Sequence, residues 1–127
     1  MKIRKGFVTN SSSSSYVIAK KKNASLTDIK NSLLKVKDQA IDFLTEVGEW
    51  VDLEPKVEEA LKKEDYDRAS DKFLEGLADY LYLNFNQGTL DEWKVGSDEF
   101  WDDSGNAYEC FILEYAWLIG DNNLQII

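Results

Sequence analysis

The sequence predicts an α+β domain in which a mainly antiparallel sheet, an N-terminal hairpin plus a C-terminal three-stranded meander, packs against about three helices. Two observations about pattern predict it. Apolar residues before position 20 and after position 92 are mostly aromatic or β-branched and are interrupted by clusters of Ser, Asp, Asn and Gly, as in strands joined by turns. Between them, apolar residues recur every three or four positions, the period of a helix with one face on a core. Size supplies the third: 127 residues, 43% hydrophobic, can bury a core without help from metal or disulfide, so residues 1–127 are expected to form a single domain.

Residues 2–22 are expected to form two short strands around a serine loop, because Ile3, Phe7 and Val8 precede the serines and Tyr16, Val17, Ile18 and Ala19 follow them. The apolar side chains are expected to make this segment part of the fold. Leu26, Ile29, Leu33, Val36, Ala40, Leu44, Val47 and Val51 then describe one amphipathic helix ending near Gly48 to Asp52. Ser25 is placed to cap it, with Asp28 in the reciprocal position of a capping box. Pro55 suits the first turn of a second helix through Lys63, since the N–H it lacks has no partner there. A third helix starts near Asp65, carries Tyr66, Ala69, Phe73, Leu77 and Tyr80 on one face, and stops at Asn86, Gln87 and Gly88.

The last third predicts the meander. Trp93, Val95, Phe100 and Trp101 make one strand, Asp102 to Asn106 a turn, Tyr108 to Ile119 a second strand, Gly120 to Asn123 a turn, and Leu124 to Ile127 a third. Two-residue alternation along the second strand puts Trp117 in the core with Tyr115 and Ile119.

Charge is unevenly distributed. The first 22 residues carry six of the 15 Lys and Arg and none of the 24 Asp and Glu, so the rest is strongly acidic and the net charge is −9. Within the basic segment lies Phe7-Val8-Thr9-Asn10, then Ser11, Ser12, Ser13, Ser14 and Ser15, then Tyr16. This opening resembles the one found at the start of small, mostly uncharacterised proteins of bacteriophages and Gram-positive bacteria. The resemblance spans roughly the first 18 residues. It implies a phage or prophage setting and the cytoplasm of a bacterial host, and it implies no particular chemistry.

Composition excludes much catalysis. With no histidine, the commonest general base and metal ligand is missing, and triads or dyads built on it are ruled out. Cys110, the one cysteine, falls in the most apolar stretch and is expected to be a buried structural thiol. The seven glycines are scattered singly and form no phosphate-cradling loop. Asp102, Ser104 and Asn106 begin the rhythm of a calcium loop, but Ala107 follows and no Glu closes it. No enzyme activity, metal or cofactor is therefore expected, and no apolar run is long enough for a membrane span.

Two candidate sites remain. The first, Ser11 to Ser15 with Arg4 and Lys5, reads as a polar loop or a strand edge, an anion site or a modification target, and the sequence does not choose among them. The second is a binding site made of Asp98, Glu99, Asp102 and Asp103 with Trp101 as an aromatic anchor. Net acidity argues against direct nucleic-acid binding, which needs clustered cations. It suits a protein partner instead, such as a basic nucleic-acid-binding protein whose groove the carboxylates occupy, although acidity also serves solubility alone. The expected function is that of a small acidic phage- or prophage-type protein acting by protein binding, as an inhibitor of a host defence or nucleic-acid-processing factor. An immunity or antitoxin-like protein neutralising a toxin is the alternative, and a ligand binder using the serine loop a third.

Overall fold

The structure is a computed structural model that describes residues 13–48, 51–101 and 106–126, with side chains for 16–48, 51–96 and 106–126. The first described strand, β1 (Ser13–Lys21), already corrects one expectation: Ser13, Ser14 and Ser15 are strand, not loop. The predicted strand containing Ile3, Phe7 and Val8 lies outside the described residues. β1 is followed by α1 (Leu26–Leu34), α2 (Lys37–Val47), α3 (Pro55–Lys62) and α4 (Tyr66–Tyr82). Then come β2 (Gly88–Leu90), β3 (Trp93–Trp101), α5 (Ala107–Tyr115), a 3-10 turn (Ala116–Leu118) and β4 (Leu124–Ile126). The described strands form one antiparallel sheet in the order β2-β3-β1-β4, so β1 lies in its interior. The α+β class holds, while the C-terminal meander does not: β3 and β4 flank β1 and do not pair with each other.

Local chemistry accounts for the helix starts. Ser25 accepts the Asp28 N–H at 3.2 Å and Asp28 accepts the Ser25 N–H at 2.9 Å, the expected capping box. Pro55 opens α3, and the Asp65 carboxylate caps α4 by accepting the Arg68 N–H at 3.1 Å. The single helix expected from Ser25 onward is in fact two. Lys35 and Val36 bond back three residues, to Ser32 and Leu33, and Val36 (φ −109°, ψ 27°) interrupts the ladder while staying buried. The apolar spacing is the same on both sides of the bend, so periodicity does not register it.

A larger correction concerns residues 107–118, which are helical. The Asn106 side chain accepts the N–H groups of Tyr108 and Glu109, turning an apparent turn residue into an N-cap. Ala107, Cys110, Phe111 and Ile112 are then buried on the inner side of α5, and Cys110 is a buried thiol in a helix, not a strand. Two-residue alternation does not apply, and Trp117 is 79% exposed instead of internal. The short β2 hairpin was also not anticipated; Asp91, at φ 53°, turns the chain between Leu90 and its partner Trp93.

The core sits between the sheet and the helices. Phe43 of α2, Phe73 of α4 and Phe111 of α5 meet there with ring centroids 5.3–5.7 Å apart. Ile18 and Leu124 join them from the sheet. Gly96 lets the chain leaving α4 cross directly over β3, since a Cβ there would overlap the Asn84 carbonyl.

Candidate functional site

The β1–β3 register brings the two sequence candidates together. Asp98 pairs with Tyr16, Glu99 with Ser15, Phe100 with Ser14 and Trp101 with Ser13. The serine and acidic segments, separate in sequence, lie on two adjacent strands of one sheet. Asp102 and Asp103 lie outside the described residues, as do Arg4, Lys5, Ser11 and Ser12. Spacing along the chain holds no signal for this pairing, because it joins segments far apart in sequence.

A second locus was not visible in the sequence. The stretch after α2 runs beside the start of α5, where Asp52 bridges Asn106 in parallel, and there it borders a cavity of about 200 Å3. Asp52, Glu54, Val57, Phe73, Asn106 and Tyr108 are among its lining residues. Tyr108, in the first turn of α5, donates its hydroxyl proton to Glu54 Oε1 at 2.9 Å. Its ring packs between Phe73 and Tyr80, each 5.4 Å away. Gly76 makes this possible, because a Cβ on α4 at that position would collide with the hydroxyl. Burial, then the hydrogen bond to Glu54 and the negative charges of Glu54 and Asp79, push the Tyr108 hydroxyl far above the usual tyrosine range. It therefore stays a donor at any physiological pH.

Other polar groups serve the fold. Lys20 is buried at 4% exposure, and its ammonium donates to the carbonyls of Lys21 at 3.1 Å and Ala24 at 2.9 Å, closing the turn into α1. Burial, and secondarily Lys94, lower its pKa. Among the described residues no group of three or more acidic or cysteine side chains is placed to hold a metal ion, and no helix is long and apolar enough to cross a membrane.

Trp117 is the conspicuous surface feature. The 3-10 turn after α5 holds it outward, and its indole N–H donates to the Glu114 carbonyl at 3.2 Å. Comparison with protein-family models, with curated proteins and with solved structures found no match.

Proposed function

We propose that this chain is a small acidic phage- or prophage-type protein that acts by binding another protein, as an inhibitor of a host defence or nucleic-acid-processing factor. The observation that carries the binding part is Trp117, a large aromatic 79% exposed on an ordered turn while the phenylalanines of the core are fully enclosed. An aromatic ring held in water on an ordered turn is the kind of group that dominates association when a partner covers it. The net charge of −9 supports a basic partner. The phage part rests on the resemblance of the Phe7 to Tyr16 segment.

The test is capture from a bacterial lysate by the immobilised full chain, followed by affinity measurement on the partner recovered. Trp117→Ala is expected to weaken that affinity about thirtyfold, a loss of about 2 kcal/mol, without lowering the melting temperature. Failure to retain any protein would overturn the reading. Recovery of a toxin would favour an immunity role over inhibition of a host factor.

A further inference from the structure

We propose that the cavity between α3, α4 and α5 receives an arginine side chain of the protein partner, an inference that rests on the protein-binding reading above. Its volume is the first argument. At about 200 Å3 it falls below the roughly 300–1,000 Å3 of pockets that enclose a drug-sized ligand or cofactor, so it suits one side chain. Its lining is the second. Val57, Phe73 and Ala107 offer an apolar wall, and Asp52 and Glu54 bring carboxylates to the same space. An apolar wall beside carboxylates matches a side chain with a hydrocarbon stem and a cationic head.

Charge balance is the third argument. Elsewhere on the surface Glu59, Asp67, Glu75, Glu92 and Asp121 each meet a lysine. Among the described residues, neither Asp52 nor Glu54 is ion-paired, nor is Asp79, whose charge acts on the Tyr108 hydroxyl, and no Lys or Arg lines the cavity. Tyr108 occupies only one oxygen of Glu54, and it uses its proton to do so. Arginine fits better than lysine, because a planar fork of five N–H donors can serve two carboxylates and the Tyr108 oxygen from a single position.

The test uses the full chain and N-acetylarginine amide, with N-acetylcitrulline amide as the uncharged isostere. Saturable shifts of the NMR signals of Val57, Ala107 and Tyr108 are expected with the arginine compound alone. Glu54→Gln, which keeps an acceptor for Tyr108, and Asp52→Asn, at an exposed residue, should each weaken this binding about tenfold, as loss of a charge-assisted hydrogen bond does. Equal shifts from citrulline, no saturable shift, or binding undiminished in the Asp52→Asn protein would overturn the proposal. A captured partner whose affinity ignores both substitutions would overturn it while leaving protein binding intact. Arginine binding by a chain that captures no protein would overturn the partner as the source of the arginine.

Discussion

Asp121 fastens the C-terminal turn to α1 through a single carboxylate. It accepts the Ser32 hydroxyl at 3.0 Å, the Lys35 ammonium at 2.7 Å, and the N–H groups of Asn123 and Leu124 at 2.8 and 3.1 Å. Burial alone would raise its pKa, but these donors outweigh burial and bring it down to about 2. The folded-state value lies below the unfolded one near 3.9, so the stabilisation is complete above about pH 4 and disappears as the pH falls toward 2. It is worth about 2 kcal/mol at neutral pH. Asp121→Asn should lower the melting temperature at pH 7 and flatten its dependence between pH 4 and pH 2, as thermal unfolding across that range will show. Trp117 teaches the complementary lesson. An aromatic residue among apolar neighbours looks internal, and only the helix before it reveals that it faces water.

At the scale of elements, the crossing of the segment after α4 over β3 is the tightest fit, and Gly96 permits it. Gly96→Ala would force its Cβ into the Asn84 carbonyl, backbone against backbone, and should cost about 3 kcal/mol or more. Gly120→Ala, where the added carbon meets only the Gln125 side chain at ordinary contact distance, should be near neutral. Comparing denaturant midpoints of the two variants checks both. Elements closed by their own local chemistry were legible in the sequence: α3 through Pro55, α4 through Asp65, the start of α1 through Ser25 and Asp28. Those decided by packing were not. Nothing in residues 33–37 interrupts the apolar period where α1 gives way to α2, and Asn106 is as good a turn former as it is a helix cap. Of the candidate sites, the acidic residues and serines could be named, but their apposition and the cavity at Tyr108 depend on contacts between distant segments.

For the whole molecule, the uneven charge becomes testable through the β1–β3 ribbon. If acidity steers a basic partner, the association rate should fall about tenfold or more between low salt and roughly 0.1 M, where the screening length is about 10 Å. Replacing Asp98, Glu99, Asp102 and Asp103 by their amides should slow association in low salt and reduce that salt dependence. Because Glu99 lies opposite Ser15, the same variant should bind an anion such as inorganic phosphate more tightly if the serine strand is an anion site. Stopped-flow kinetics and a phosphate titration thus give opposite signs for the two readings, and indifference in both would mean that the charge serves solubility. The strand order also has a bearing on synthesis. Lys20, made early, pairs with Leu124, made at nearly the opposite end of the chain. Helices α1 to α4 lie between them and can form as they leave the ribosome, while β1 waits for β3 and then, along Ile18 to Lys20, for β4. Translation itself therefore sets the moment at which this sheet can be completed, and until then the nascent chain presents an open strand to whatever chaperone or neighbouring polypeptide meets it first.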